Sequence, residues 1–385
     1  MSNEYNIATL LDETDKATGG IVGIEHTDDE DDDVEEKPYN PDDIRITSKF
    51  FSVSDVCRWM SDSPPKITIK PAFQRNLVWN DKKKSLLIES LMLRIPIPSF
   101  YFYEDEDEHK NVIDGLQRLS TIFGYVKGGF ELCDLQYLGD RCNGKKFTEL
   151  DRKYITRIED TQLSVNILDA RTPELVKFDV FRRINTGGVP LNSQEIRNVL
   201  ASADTMDLLK RMSVSEQFVE ATHGVVKDVR MDAQELCLRF ITFYRAYSTV
   251  RKTAHKDKPL AKMLDECIIH LNTCDRQTID RYFEIFEMAM SKSISAFGKR
   301  AFVKPGNRVV INKPLFTSWA VTLAHSGLSS ETLLKKQDAL TRLLTTQINR
   351  DADYFAAITS STASRRSIDK QFLTAYKILE VLEND

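Results

Sequence analysis

The 385-residue sequence predicts an α+β protein: mixed strands and helices over residues 44–200, then an all-helical part over residues 201–385. Three observations carry this. In the first part, short apolar or alternating runs bounded by turn residues take turns with amphipathic stretches. In the second, only the helical period continues, and no convincing strand interrupts it. Ahead of both, residues 1–43 carry 15 acidic and 2 basic side chains, net −13. Their run Asp28-Asp29-Glu30-Asp31-Asp32-Asp33-Val34-Glu35-Glu36 is a block of like charge expected to be disordered.

Taken in order, Ser52 or Ser54 is placed to cap a short helix through Val56, Trp59 and Met60, and Pro64-Pro65 ends it. Residues 67–70 alternate as a short strand. Residues 82–93 read as a helix with Leu86, Leu87, Leu91 and Met92 on one face, while Lys82, Lys83 and Lys84 stay in water. After Ile95-Pro96-Ile97-Pro98 comes the aromatic strand Phe100-Tyr101-Phe102-Tyr103, an acidic turn over 104–109 and a returning strand over 111–114, which together make a hairpin.

A helix follows over 119–125. The glycines of 127–159 (Gly128, Gly129, Gly139, Gly144) predict loops with little regular structure. A strand over 163–168 precedes a helix from near Pro173 through Phe181, proline being favoured at a first helical position. Amphipathic helices are then predicted over 203–212, 232–247, 260–271, 278–296, 313–324, 330–344 and 368–382. There is no internal repeat of fixed length.

Composition narrows the function classes. No run approaches the roughly twenty apolar residues needed to span a bilayer, and no basic start leads into an apolar core, so a cytoplasmic protein without membrane contact is expected. The formal charge of −5 averages the acidic first 43 residues with a remainder at +8, compatible with a nucleotide or nucleic-acid partner. The acidic stretch reads either as a phosphate mimic occupying a basic site or as a solubilising tail.

The six cysteines (Cys57, Cys133, Cys142, Cys237, Cys267, Cys274) lack zinc spacing and suit a reducing compartment. His223, His255, His270 and His325 are scattered, with no nucleophile close by in sequence. Two basic stretches could meet a phosphate backbone: Lys299, Arg300, Lys304 and Arg308 with Phe297 and Phe302 nearby, and residues 359–366 ending Ser364-Arg365-Arg366. Both could equally be solvated loops.

The most informative segment is Asp114-Gly115-Leu116-Gln117-Arg118, where the strand ending Val112-Ile113 turns into a helix. A glycine there lets the backbone approach a ligand, and the N–H groups of the first helical turn attract anions. Arg118 adds a cationic fork and Gln117 a neutral donor and acceptor. The pattern is neither the P-loop nor the three-glycine dinucleotide fingerprint. Asp114 is placed to hold a metal ion, to orient Arg118 or to cap the helix. A second Gln-Arg pair, Gln74-Arg75, follows the strand-like run at 67–70 and could converge on the same anion if the two units are adjacent. A third polar cluster runs Arg182-Arg183-Ile184-Asn185-Thr186-Gly187-Gly188, then Pro190 to Asn198 with Asn192 or Ser193 as a helix cap.

Three blocks carry a resemblance: Phe73-Gln74-Arg75 with Trp79; Ile113 to Arg118; and Phe181 to Leu191 with Glu195, Arg197 and Asn198. Over roughly residues 45–200 the chain resembles the N-terminal domain of GmrSD-type restriction endonucleases. That family resembles the ParB and sulfiredoxin fold group, whose members bind nucleotides, and related domains occur in prokaryotic systems that attack or sense modified phage DNA. The resemblance implies a ParB/sulfiredoxin-like N-terminal domain. It places the family's Asp-Gly-Gln-Gln-Arg motif on Asp114 to Arg118 and its upstream Gln-Arg on Gln74 and Arg75. Leu116 departs from the motif, standing where the family has a glutamine, which makes hydrolysis a weaker expectation than binding. The His-Asn-His nuclease of two-part members has no counterpart in the second half, so a stand-alone member working with a separately encoded nuclease is expected.

These readings combine into one expectation: a nucleotide-binding domain, with hydrolysis of a nucleoside triphosphate as the further step, acting in defence against foreign or modified DNA. Asp114, Gln117 and Arg118 would be its catalytic residues, and Gln74, Arg75, Gly115, Asn185, Arg197 and Asn198 its phosphate contacts. Asp114 would hold Mg²⁺ directly or through water. The rivals are a non-catalytic DNA- or partner-binding module, a regulator of a separate nuclease, and a nuclease, for which the sequence shows no compact set of water-activating groups.

Overall fold

The computed structural model describes residues 23–25, 44–68, 79–105, 107–184, 192–248, 250–254, 258–306 and 309–383. The chain divides into two compact units, Lys37–Pro190 and Leu191–Asp385, the latter taking in residues 23–25.

The first unit is the mixed one. Strand β1 (Ile46–Ser52) runs into helix α1 (Val53–Ser61), whose start is fixed by Ser52 accepting a hydrogen bond from the Asp55 N–H at 3.0 Å. Short β2 (Ile67–Thr68) follows. Helix α2 (Asp81–Met92) is capped by Asn80, which accepts from Lys83 N–H at 2.9 Å, and buries Leu87, Ile88, Leu91 and Met92. Strands β3 (Phe100–Glu104) and β4 (Lys110–Asp114) make the expected hairpin, followed by α3 (Leu116–Val126).

Residues 127–159 depart from the expected loops. They hold α4 (Gly139–Cys142), a 3-10 turn (Phe147–Glu149) and α5 (Arg152–Glu159). Leu132, Phe147, Leu150, Tyr154 and Ile158 in this stretch are buried, and each such side chain contributes about 1.5–3 kcal/mol. The Glu89 carboxylate, 3% exposed, accepts the N–H groups of Gln136, Tyr137 and Leu138 at 3.0, 2.7 and 2.8 Å. Burial of scattered apolar residues thus outweighs the turn-forming glycines. Strand β5 (Gln162–Leu168) and α6 (Glu174–Ile184) complete the unit.

The sheet order is β1-β5-β3-β4-β2. β1 pairs antiparallel with β5 and β3 with β4, whereas β5 and β3, and β4 and β2, run parallel. One core gathers Phe100, Phe102, Val112, Leu163, Val165 and Ile167 from the sheet with residues of α2, α3 and α5.

The second unit begins with α7 (Ser193–Leu200), so this helix folds with the helical part rather than with the mixed part. Helices α8 (Ala203–Val214), α9 (Glu216–Ala221) and α10 (Asp232–Ala246) follow. A small hairpin, β6 (Tyr247–Ser248) with β7 (Thr253–Ala254), interrupts the helices that the sequence pattern led us to expect alone. Then come α11 (Leu260–Asn272), α12 (Arg276–Phe297) and α13 (Lys313–His325). The stretch expected as one helix over 330–344 is two, α14 (Ser330–Lys335) and α15 (Gln337–Arg350), because Lys336 leaves helical geometry at φ −101°. Helices α16 (Ala352–Thr359) and α17 (Arg365–Glu383) close the unit.

Helix α13 is apolar nearly all round, with Leu315, Phe316, Trp319, Ala320 and Leu323 all buried, as suits a central helix packed by α10, α12 and α17. Within the acidic N-terminal stretch, Ile24 is 2% exposed and bridges Ile311 in parallel, so this part of the expected tail is folded. Among the described residues, no helix is long and apolar enough to cross a membrane.

Candidate functional site

The β4–α3 turn is shaped by one glycine. Gly115 sits at φ 94°, ψ 10°, and a Cβ there would lie 2.3 Å from Cδ1 of Phe100. Both the left-handed backbone and the close ring demand glycine. The helix starts at once, with Leu119 N–H donating to Gly115 O at 2.8 Å and no side-chain cap. The first-turn amides are therefore not covered by a capping side chain.

Arg118 is fixed on four sides. Its Nη2 donates to Asp114 Oδ2 at 2.9 Å and to Ser99 O at 3.2 Å, its Nη1 donates to Pro98 O, and its guanidinium lies 4.6 Å from the centre of the Phe100 ring. The side chains of Arg118 and Asp114 are 13% and 22% exposed. Burial pushes the Asp114 carboxyl above its usual 3.8, against the pull of Arg118 and of the Gly115 N–H. Burial likewise draws Arg118 below the usual arginine range, with Asp114 opposing. Of the sequence alternatives for Asp114, orienting Arg118 is the one the geometry displays.

Gln117 is half-buried in the same first turn, and Leu116 packs against the hydrophobic core. A glutamine in its place would have to bury an amide. Magnesium finds little here from the protein alone: Asp114 is a single carboxylate with a guanidinium on one oxygen. Among the described residues, no group of three or more His, Cys, Asp and Glu could hold a metal ion.

The strand that precedes the second Gln-Arg pair in sequence pairs with the strand that leads into this turn. β2 lies parallel to β4, Ile67 beside Lys110 and Thr68 beside Asn111. The two strands therefore run in the same direction, with Thr68 level with Asn111, three residues before Asp114. Gln74, Arg75 and Asn185 themselves lie outside the described residues, as does Phe73. Trp79 packs against the core, with Lys83 Nζ 4.7 Å from its ring.

Arg197 and Asn198 are sealed inside the helical unit, each 2% exposed. Arg197 Nε donates to Asp265 Oδ1 at 2.9 Å, and Asn198 Nδ2 donates to Gln234 Oε1 at 2.8 Å while its Oδ1 accepts from Gln194 at 2.9 Å. Helical amphipathicity could have flagged them, since they sit among Ile196, Val199 and Leu200, all buried. Beside them, Asn192 and Glu195 form a capping box, and Glu195 Oε2 takes Arg230 Nη2 at 2.6 Å. Arg230 and Met231 hold positive φ of 51° and 67°, a strained pair pinned by this contact and by Asn192 donating to Arg230 O at 2.9 Å. No feature of the sequence pointed to it.

Parts of the other candidate stretches are engaged in packing, while Lys299, Arg300, Arg365 and Arg366 are exposed. Phe302 and Phe297 are buried against Phe316 and Trp319, so these aromatics are not available for base stacking, and Lys304 pairs with Glu25 at 2.9 Å. His270 Nε2 lies 3.2 Å from Tyr282 OH and 3.4 Å from Cys274 Sγ, but burial raises that thiol above 9.0, the opposite of an activated nucleophile. An open cleft of about 670 Å³, lined by Asp81, Gly128, Gly129, Phe130, Asp134 and Lys146 among others, includes none of the sequence-predicted site residues.

No curated protein and no solved structure matches this chain. Residues 60–201 match the model of the GmrSD restriction endonuclease, N-terminal domain, and this part of the chain, holding the β4–α3 turn, belongs to that family.

Proposed function

We propose that the α/β unit binds a nucleoside triphosphate beyond the carboxyl ends of β2 and β4, and that the protein serves a restriction system directed at foreign or modified DNA. Family membership supports a place in such a system. The observation that carries the nucleotide reading is the parallel pairing of β2, the strand that precedes Gln74-Arg75 in sequence, with β4, the strand that leads into Asp114 to Arg118. In open α/β sheets, ligands bind beyond the carboxyl ends of parallel strands, and β2 and β4 are such a parallel pair within this mixed sheet.

In this reading, the first-turn amides of α3 take phosphate oxygens, Gly115 gives them room, and Gln117, Gln74, Arg75 and Asn185 complete the contacts. Arg118 acts as a preset positive edge of the turn. Mg²⁺ would arrive on the nucleotide's phosphates, keeping most of its water, with Asp114 reaching it through water. Hydrolysis is the finer step, and a separately encoded nuclease would supply cleavage.

One observation favours a second reading. Arg118 is already neutralised by Asp114 and satisfied by two carbonyls, as expected of a structural clip in a non-catalytic DNA- or partner-binding module.

Binding and turnover of ATP, GTP, CTP and UTP with Mg²⁺, with and without plain and modified DNA, separate the two. DNA-stimulated turnover abolished by Asp114→Ala and Gln117→Ala, in variants whose melting temperature is retained, is the expected result. No nucleotide binding, with DNA binding intact in both variants, overturns the nucleotide reading in favour of the module.

A further inference from the structure

Strand β1 is the outer edge of the five-stranded sheet, and its burial pattern is exposed through residues 46–50. Ile46 is 44% exposed and Phe50 69%. Long edge strands with outward apolar residues normally carry charges, a proline or a bulge against pairing. β1 has one lysine, no proline and unbroken register with β5.

The direction of its backbone groups follows from two flanking bonds. Asp169 N–H donates to Arg45 O at 3.0 Å, and Val53 N–H donates to Thr161 O at 3.0 Å. In an antiparallel pair, residues facing the neighbour alternate with residues facing away. Residues 45, 47, 49, 51 and 53 therefore face β5. The N–H and C=O groups of Ile46, Ser48 and Phe50 point out from the sheet. Among the described residues, nothing pairs with those groups.

We infer that this edge binds a second copy of the chain, β1 against β1 antiparallel about a two-fold axis at Ser48, joining the two sheets into one of twice the width. The sequence of the strand selects this register. Centred on Ser48, every outward-facing residue meets another: Ser48 meets its copy, and Ile46 meets Phe50 on both sides, as hydrogen-bonded pairs with side chains on one face. Thr47 stands opposite Lys49. Centring on Lys49 would instead set two lysines against each other, and centring on Phe50 would push Ile46 beyond the partner strand's end.

The area at stake is small. A seven-residue edge falls below the roughly 1,200 Å² of standard stable interfaces, so the dimer is weak and reversible.

Sedimentation of the full chain from about 1 to 200 μM covers the range expected of such an interface. The expected result is a monomer–dimer equilibrium that Ser48→Pro weakens about tenfold or more, since proline removes only an outward N–H and edge strands tolerate it. Phe50→Asp should weaken it as well. The register is tested separately under mild oxidation. Ser48→Cys should cross-link to its copy, whose Cα lies about 5.5 Å away in a hydrogen-bonded pair, and Thr47→Cys should not. A monomer throughout the range, a dimer indifferent to both Ser48→Pro and Phe50→Asp, or equal cross-linking at the two positions overturns the proposal.

Discussion

Asp114 Oδ2 lies 2.9 Å from Arg118 Nη2, one helical turn apart across Gly115. The pair clips the start of α3 to the start of β3, because the same guanidinium also reaches Pro98 O and Ser99 O. It does so at low exposure, where burial works against both charges. Each charge is thus kept by the other.

Removing the cation should therefore leave the carboxylate stranded. In Arg118→Met, the Asp114 carboxyl, already above 3.8 through burial, loses its main opposing pull and should titrate higher still. Carboxyl carbon NMR titration of both proteins reads this directly. The sign for stability follows. A carboxyl whose folded value exceeds its unfolded one contributes most below the unfolded value and loses that contribution as pH rises through the folded one. Arg118→Met should be most destabilised relative to wild type at neutral pH and approach it in acid. An Asp114 titration unmoved by the substitution would mean the two side chains do not interact in solution.

Much of this turn was legible from residues 112–118. Strand, glycine and helix appear where the sequence put them, and the hairpin leading to Asp114 needed only its alternation and acidic turn. Three things were not legible. The partner of Arg118 could have been solvent, phosphate or Asp114, and only the ring of Phe100 and the carbonyls of Pro98 and Ser99, 18 to 20 residues upstream, decide among them. Glycines at 128, 129, 139 and 144 suggested loops, whereas burial of Phe147, Tyr154 and Ile158 orders the segment around them. Polar residues after Pro190 looked like ligand contacts, yet Arg197 and Asn198 stand on a helix buried from Gln194 to Leu200, where charge can persist only by pairing.

The Arg197–Asp265 pair gives a test of that last point. The two side chains are 2% and 3% exposed, and Nε meets Oδ1 at 2.9 Å. Breaking a buried pair from one side leaves an uncompensated charge, which costs about 3–5 kcal/mol. Arg197→Met should lose stability on that scale in urea unfolding, and adding Asp265→Leu should recover most of it. Nucleotide or DNA affinity of the folded fraction should stay within about twofold of wild type, equivalent to about 0.4 kcal/mol. A variant that keeps its stability but loses ligand would return Arg197 to the phosphate contacts.

Glu235 contributes to the acid dependence of the helical unit. Burial pushes its carboxyl up, but Lys313, Arg239 and Arg197 together pull harder, and it sits well below its ordinary 4.5. The contacts are direct, Arg239 Nε at 2.8 Å and Lys313 Nζ at 3.3 Å from Oε1, with the glutamate side chain 15% exposed. A carboxyl depressed in the folded state adds stability that is fully present above the unfolded value and is lost as pH falls through the folded one. Stability of the wild-type helical unit should hold from neutral pH down to the ordinary glutamate range and decline below it. Glu235→Gln keeps the shape and removes the charge, leaving Arg239 and Lys313 facing each other across a neutral amide. Its cost should be about 2–4 kcal/mol at pH 7, shrinking toward zero in strong acid, where the wild-type carboxyl is protonated too. Urea unfolding of both proteins across the acid range measures the gap. A gap of constant size at every pH would show that Glu235 acts through its shape and hydrogen bonds rather than through its charge.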